Sequence, residues 1–216
     1  MSKAKLVIGN KRYSSWSLRG YLALKFAGID FDEVVVPLFV GDFHKTIKNN
    51  APDAPAKVPS LVDGGHTIWD TNSIMEFGAE NTQKGALWPE DKYSRAHARS
   101  ICAEMHSGFM ALRGYMPMDL GQVKEATDLP EDVSADINRI VEIWSDCRKK
   151  YAEQGPYLFG KLSMADAAYA PVVARFMGNS IALDDVGKAY MQAIWDLPAF
   201  EEWRRDAATE SWIINH

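Results

Sequence analysis

Three serines stand close together at the start of a predicted helix, in the segment Ser14-Ser15-Trp16-Ser17. Hydroxyls at such a position satisfy backbone N–H groups that have no partner in the first helical turn, so a capping role is one interpretation. The other interpretation is chemical, because a hydroxyl and free amides at the positive end of a helix form a site for an anion or a thiolate. The spacing alone favours capping and leaves both interpretations open.

A second candidate segment is Lys57-Val58-Pro59-Ser60, where a proline follows a loop and opens a predicted strand. If the bond before Pro59 is cis, the backbone of Val58 turns outward. Its N–H and C=O then pair with an extended peptide lying alongside, as in strand addition. Val-Pro pairs are also common loop endings, so the sequence alone does not establish a binding role.

The third candidate is Asp70-Thr71, which precedes an apolar-periodic segment. Asp and Thr at this place are ordinary helix-capping residues. Alternatively, the amide and hydroxyl of Thr71 at the helix N-terminus bind a ligand carboxylate while Asp70 pairs with an ammonium group. Together, those two contacts describe the end of a γ-glutamyl group.

The elements that position these segments form a small domain, predicted for residues 1–82. Strands are predicted at 6–9 and 34–36, and an amphipathic helix begins near Trp16 and ends at Gly28. A β-hairpin is predicted around Gly64-Gly65, followed by the helix that Asp70 opens. The order β-α-β-α-β-β-α predicts a mixed sheet with helices packed on it.

The rest of the chain has a helical pattern without a convincing strand, so residues 90–216 are predicted to form an all-α domain after a polar linker at 81–91. One helix is predicted from about 93 to 115, and others lie further along. Ser163 and Asp166 form a Ser-x-x-Asp capping box before an interior helix. The predicted fold class is therefore α+β.

Composition and charge exclude several classes of function. The chain has 216 residues, of which 47% are apolar and 25% charged, and a formal net charge of −5. Lys and Arg are scattered, whereas a nucleic-acid partner requires a basic face. No stretch approaches the roughly 18 apolar residues of a membrane span, and the N-terminus lacks the apolar core of a signal peptide. We therefore expect neither a nucleic-acid nor a membrane partner.

The cysteine and histidine residues do not suggest a disulfide framework or a metal site. Cys102 and Cys147 lie far apart in predicted helices, which favours small buried residues and a cytoplasmic protein. His97, Glu104 and His106 share one predicted helix, but they lack the i, i+4 His-His spacing that metal sites favour. No metal site is predicted.

The three motifs, in this order and followed by a helical domain, resemble those of the cytosolic glutathione S-transferase superfamily. The matching residues are Ser14, Val58-Pro59 and Asp70-Thr71, together with the capping box at Ser163. The resemblance implies a thioredoxin-like first domain, a helical-bundle second domain and glutathione as co-substrate. It also implies a homodimer that acts in detoxification on a small electrophilic second substrate.

The resemblance also implies roles for individual residues. Ser14 is the expected activator of the glutathione thiol, with Ser15 the nearest alternative. Val58, Pro59, Asp70 and Thr71 are expected to bind glutathione, and Lys57 and His44 are placed to reach its glycine carboxylate.

The class within the superfamily is left open by Trp16. The segment Ser14-Ser15-Trp16-Ser17 is similar to the Ser-Ser-Cys-Ser turn of zeta-class enzymes, the maleylacetoacetate isomerase group, but Trp16 stands where that class has a cysteine. Three functions therefore remain: a conjugating transferase, a zeta-like cis-trans isomerase, and a non-enzymatic binding protein with this fold.

Overall fold

The computed structural model describes residues 3–82 and 85–214, and two residues of the predicted linker, 83 and 84, lie outside this part. Its first domain contains four strands and three α-helices. In chain order they are β1 (Ala4–Ile8), α1 (Ser15–Ala27), β2 (Phe31–Val35), α2 (Phe43–Asn50), β3 (Ser60–Asp63), β4 (His66–Ile68) and α3 (Thr71–Glu80). The predicted order β-α-β-α-β-β-α is confirmed.

The four strands form one mixed sheet in the order β2-β1-β3-β4. Strand β1 is parallel to β2, with Ala4 opposite Phe31, and antiparallel to β3, with Leu6 opposite Leu61. The β3–β4 hairpin turns at Gly64 and Gly65, whose φ angles of 55° and 87° favour glycine. The sheet therefore places the end of β1 beside the start of β3, where two of the candidate segments begin.

The second domain is helical in the part that the structure describes. Its α-helices are α4 (Lys92–Ser107), α5 (Met110–Tyr115), α6 (Glu131–Tyr151), α7 (Met164–Gly178), α8 (Asp185–Trp195) and α9 (Pro198–Ala207), and a single 3₁₀ turn follows α6 at Ala152–Gln154. This arrangement confirms the predicted α+β class with an all-α second domain.

The prediction of one helix from about 93 to 115 is wrong. Helix α4 ends at Ser107, and Phe109 adopts the left-handed region with φ of 59° before α5 begins. A Cβ at position 108 would lie 2.8 Å from the carbonyl oxygen of Glu104, so the close approach requires Gly108. The apolar spacing of Met105, Phe109 and Leu112 continues across the break, which is why periodicity did not reveal it.

Helix α1 is buried on nearly all of its surface, although its sequence predicts an amphipathic helix. It packs against α3 within its own domain and against α7 of the helical domain. Even the polar residues Ser17 and Arg19 are 0% and 2% exposed. Arg19 reaches the helical domain, where its Nε donates to the carbonyl oxygen of Ala168 over 2.8 Å, whereas the hydroxyl of Ser17 is bonded within the first domain.

The turn between β1 and α1 is fixed by the C-terminal domain. The indole N–H of Trp203 donates to the carbonyl oxygen of Lys11 over 2.8 Å. The carboxylate of Glu210 accepts from the backbone N–H of Lys11 and of the following residue, over 2.7 and 3.0 Å. The Lys11 ammonium lies between Glu33 and Asp206, at 2.5 and 2.6 Å. The position of this turn thus depends on contacts with the last helix and the segment after it.

Among the described residues, no helix combines the length and the apolar character needed to cross a bilayer. Cys102 and Cys147 are both free and buried. Burial raises the pKa of the Cys147 thiol to about 12 and that of the Cys102 thiol further still, so neither is set up as a nucleophile.

We predict that Asp166→Ala destabilises the fold strongly. Helix α7 begins with the predicted capping box. The buried Asp166 carboxylate accepts hydrogen bonds from the Ser163 N–H and hydroxyl, the Leu158 N–H and the Tyr190 hydroxyl. Removing it leaves these buried donors without a partner, which should lower the free energy of unfolding by about 3 kcal/mol or more.

Urea denaturation would measure this loss. The control is Asp185→Ala, because Asp185 lies in the first turn of α8 with its side chain fully in solvent. Equal stability of the two variants would contradict the structural role of Asp166.

Candidate functional site

A groove of about 450 Å³ lies between the two domains. The wall from the first domain contains five of the residues predicted to bind a ligand: Lys57, Val58, Pro59, Asp70 and Thr71. Residues from separate loops and from a helix start are thereby brought to one surface. We call this cavity the interdomain groove.

The Val58-Pro59 bond at the groove is cis. Helix α1 lies directly against this proline, since a Cβ on Gly20 would lie 3.0 Å from Pro59 Cγ. Ser60 then enters β3, and its hydroxyl donates to the carbonyl oxygen of Lys57 over 3.1 Å. These contacts hold Val58 at the edge of the groove, next to the sheet.

Asp70 caps α3 and also contacts the helical domain. One carboxylate oxygen, Oδ1, accepts from the backbone N–H of Asn72 over 3.0 Å and caps α3. The other, Oδ2, lies 3.2 Å from Nε2 of His106. The Asp70 side chain is 54% exposed, so its carboxylate remains accessible from the groove.

Thr71 carries an unusual polar group. Its side chain is fully buried, and Oγ1 forms no hydrogen bond with any described residue. A buried hydroxyl without a partner is unfavourable unless a ligand or a water molecule satisfies it. Because Thr71 also lines the groove at the N-terminus of α3, it fits a ligand carboxylate.

His106 lines the groove, although its sequence context offered only a metal-ligand role. It lies near the C-terminal end of α4 and forms the wall from the helical domain. Its ring contacts Trp16 edge-to-face, with centroids 4.9 Å apart. No local sequence signal marks this position, because it depends on how α4 packs against the first domain. Among the described residues there is no cluster suited to a metal ion.

Ser14 acts as the N-cap of α1. Its Oγ accepts from the Ser17 N–H at 3.3 Å and donates to the Ser17 hydroxyl at 2.8 Å. The Ser17 oxygen also accepts from the N–H of Gly9, at the end of β1, over 2.9 Å. The hydroxyl of Ser14 is therefore committed to fixing the turn, and Ser14 is not among the residues that line the groove.

Ser15 has a different environment. Its hydroxyl oxygen accepts from Nη2 of Arg175, on α7, over 3.3 Å. The same guanidinium donates to the carbonyl oxygens of Met116 and Pro171. Ser15, like Ser14, is 7% exposed and is not among the residues that line the groove. Since the oxygen of Ser15 is the acceptor in this contact, its own proton is available for donation.

Three arginines surround the start of α1. The guanidinium carbons of Arg19 and Arg113 lie 4.9 and 5.0 Å from the ring centre of Trp16, and Arg175 contacts Ser15. Burial lowers the pKa of Arg19 and lowers that of Arg175 to about 9, with neighbouring arginines as the second cause. Arg175 is still positively charged at neutral pH, and the site therefore favours an anion.

The two remaining candidates lie at the edge of the site. Lys57 is exposed beside the groove. The Nδ1 atom of His44, in α2, lies 3.1 Å from the carbonyl oxygen of Ala56. His44 is not among the residues that line the groove.

Comparison with known proteins identifies relatives of both domains. The family model "Glutathione S-transferase, N-terminal domain" matches residues 13–81. The probable maleylacetoacetate isomerase of Caenorhabditis elegans is 32% identical over 126 residues, which cover 58% of this chain and 58% of that protein. The maleylacetoacetate isomerase of Rattus norvegicus is 28% identical, with 81% and 79% covered.

A solved structure extends the similarity to nearly the whole chain. The crystal structure of a Burkholderia glutathione transferase homologue with bound glutathione aligns with a TM-score of 0.72 and 20% identity, covering 97% of this chain and 100% of that one. At this identity, the likeness shows a common fold.

Proposed function

Because this chain belongs to the glutathione S-transferase superfamily, as its motifs predicted, we propose that it is a glutathione transferase. It binds glutathione in the interdomain groove and activates the thiol for attack on a small electrophilic second substrate. The observation that carries this proposal is the meeting of Val58, Asp70 and the unpartnered hydroxyl of Thr71 in one groove.

The γ-glutamyl end of glutathione is assigned to the start of α3. Its carboxylate would accept from the hydroxyl of Thr71 and from free N–H groups of the first turn, where the helix dipole favours negative charge. Its ammonium would pair with the Asp70 carboxylate, which His106 holds in the structure without ligand. Thr71 thus provides a hydrogen-bond donor for the ligand carboxylate, and Asp70 provides a negative charge for the ligand ammonium.

The rest of the tripeptide is assigned along the loop before β3. Val58 stands at the groove edge, so its backbone N–H and C=O would pair with the extended cysteinyl residue. Lys57 is the exposed cation beside it and would attract the glycine carboxylate, a surface contact worth at most about 1 kcal/mol.

Activation of the thiol is assigned to the start of α1. A free thiol has a pKa near 8.5, and lowering it by about two units requires roughly 2.7 kcal/mol. A charge-assisted hydrogen bond together with the helix dipole supplies this amount. Of the two candidate hydroxyls, Ser15 is favoured because the Ser14 proton is directed to Ser17, whereas Ser15 receives a hydrogen bond from a cation.

We predict that Thr71→Val weakens glutathione binding without destabilising the protein. The hydroxyl has no partner within the described protein, so its loss removes a contact to the ligand alone. The expected loss is about 1.5–3 kcal/mol in binding free energy, which a calorimetric titration with glutathione would measure.

The control is Thr67→Val on β4, which removes a hydroxyl that does not line the groove. If Thr71→Val keeps its affinity for glutathione but melts at a lower temperature, Thr71 has only a structural role and the proposed site is wrong.

We predict that Ser15→Ala raises the pKa of the bound thiol by at least about one unit, equivalent to about 1.4 kcal/mol. Ser14→Ala serves as the matched comparison. Loss of its cap should lower the free energy of unfolding by about 0.5–2 kcal/mol while the thiol titration changes less. The ultraviolet absorbance of the bound thiolate, followed against pH, measures the pKa of the thiol in both variants. A shift in Ser14→Ala alone would identify Ser14 as the donor.

The alternative enzymatic function is a zeta-like cis-trans isomerase, because curated relatives carry the name maleylacetoacetate isomerase. Against it, the bulky Trp16 occupies the place of the zeta-class cysteine and lies in the groove wall, in contact with His106 and two arginines. Comparing isomerase turnover with conjugation of aromatic electrophiles separates the two. Glutathione binding without either activity would favour a non-enzymatic binding protein.

We further propose that the protein acts as a homodimer in the cytoplasm, in detoxification. The resemblance to the superfamily supports these assignments, and the exposed side chains of Phe39 and Val40 give the first domain an apolar surface for a partner. Sedimentation velocity at micromolar concentration should give twice the mass of the chain. A monomer at that concentration would contradict the dimer.

A further inference from the structure

The turn between β1 and α1 has two backbone N–H groups that find no acceptor within the turn itself. The carbonyl oxygen of Asn10 accepts from the N–H of Tyr13 over 3.2 Å and from that of Ser14 over 2.8 Å, and these bonds close the turn. Lys11 and Arg12 are the two central residues, and the N–H groups of central residues take no part in closing a β-turn. They therefore require acceptors from outside.

Glu210, in the segment after α9, provides both acceptors. One carboxylate oxygen accepts from the N–H of Lys11 over 2.7 Å, and the other accepts from the N–H of Arg12 over 3.0 Å. Successive N–H groups of a turn form a small concave site for an anion, and a carboxylate binds such donors more strongly than a neutral oxygen does. The charged ends of Lys11 and Arg12 pair with three other carboxylates, so Glu210 is the partner of their backbone.

All four backbone polar groups of Lys11 and Arg12 pair with the helical domain. In addition to the two N–H groups, the carbonyl oxygen of Lys11 accepts from the Trp203 indole over 2.8 Å. That of Arg12 accepts from the N–H of Leu120 over 3.2 Å. Trp203 is fully buried in the core, and Leu120 takes part through its backbone. Glu210 is only partly buried, so it is the partner that a substitution removes without opening the core.

Further hydrogen bonds connect this turn to the serines at the start of α1. The N–H of Ser14 is held by the carbonyl oxygen of Asn10, and the N–H of Ser15 donates to that of Tyr13 over 3.0 Å. Two residues separate Arg12 from Ser15 in the chain, and both are tied by these bonds. A displacement at Arg12 is therefore transmitted to Ser15. Because a hydrogen bond weakens steeply with distance and angle, it changes how the Ser15 hydroxyl donates.

We propose that Glu210 is a positioning residue of the transferase. By holding the central N–H groups of the turn, its carboxylate sets the place at which the Ser15 hydroxyl meets the sulfur of bound glutathione. It thereby governs the ionisation of the thiol. Glu210 is not among the residues that line the interdomain groove, so it acts through the turn. The inference rests on the proposed function and adds a control of the activation step from beyond the last helix.

The first test is the titration of bound glutathione in Glu210→Ala. The pKa of the thiol should rise by at least about half a unit, because the donor at the start of α1 is displaced. The ultraviolet absorbance of the thiolate, followed against pH, measures this shift. Below the pH at which the thiol ionises, calorimetric titration should give the parental affinity, since Val58, Asp70 and Thr71 lie on other segments.

Two further variants test whether the carboxylate itself is required. Glu210→Gln keeps the size of the side chain, but its amide has one acceptor oxygen, and its NH₂ group cannot accept from the second N–H. We expect it to raise the thiol pKa as Glu210→Ala does, and a parental value would refute the proposal. The matched control is Glu201→Ala, because Glu201 is exposed in the first turn of α9. Its thiol pKa should equal that of the parent.

Rescue by formate separates positioning from a general loss of stability. In Glu210→Ala, the N–H groups of Lys11 and Arg12 face the space that the carboxylate occupied, and formate is a carboxylate small enough to enter it. Formate should return the thiol pKa of Glu210→Ala toward the parental value and leave the parent and Glu201→Ala unchanged. Sodium chloride at equal ionic strength controls for screening. A Glu210→Ala protein that melts at a lower temperature but keeps the parental thiol pKa would overturn the proposal.

Amide hydrogen exchange in the absence of glutathione distinguishes this proposal from the proposed function. The amides of Lys11 and Arg12 should exchange at least about tenfold faster in Glu210→Ala, because their hydrogen bonds open more often. If the parent binds glutathione without lowering its pKa, the proposed activation fails and the effect of Glu210 on the thiol fails with it, while faster exchange still assigns the turn to Glu210. If the parent lowers the pKa and exchange is unchanged in the variant, the transferase function stands and the positioning role is refuted.

Discussion

The functional geometry depends on one turn, between β1 and α1, which the C-terminal domain holds in place. Lys11 is fixed through its backbone by Trp203 and Glu210 and through its ammonium by Glu33 and Asp206. Each contact is modest by itself, but four that fix one short turn restrict it far more than a capping hydroxyl does. A serine at the start of α1 is therefore positioned by residues nearly two hundred positions away, and the site requires both domains.

Burial of arginines beside this turn is costly and has a chemical consequence. Arg19 is 2% exposed, and both of its terminal nitrogens are without a hydrogen-bond partner among the described residues. Proteins rarely bury such a cation without a carboxylate, because the desolvation cost is several kcal/mol. Arg19 and Arg175 together create a positive potential in a poorly hydrated region. That potential favours a thiolate over a thiol at the start of α1, in addition to the helix dipole.

The order of elements in the first domain and the candidate ligand residues could be predicted from the sequence because the relevant signals are local. The Gly64-Gly65 turn, the Asp70 cap and the Val58-Pro59 loop each depend on a few neighbouring residues, and the structure brings the last two to one groove. His106 was not predicted as a residue of the groove because its role depends on how α4 packs against the first domain. Helix periodicity shows that a face is buried but does not identify its partner.

Ser15 and Trp16 are adjacent at the start of α1, but they contact the linings of two different cavities. Successive positions on a helix point about 100° apart, so Trp16 faces the interdomain groove while Ser15 contacts Arg175, which lines the other cavity. The indole ring separates the groove from Arg19 and Arg113 without neutralising them, because it offers a π-face and one N–H but no charge. A cysteine at this position would leave space that water would enter, and water would screen those cations from the groove. In this chain, Trp16 thus preserves the electrostatic influence of the arginines on a bound thiol while restricting the room for a second substrate.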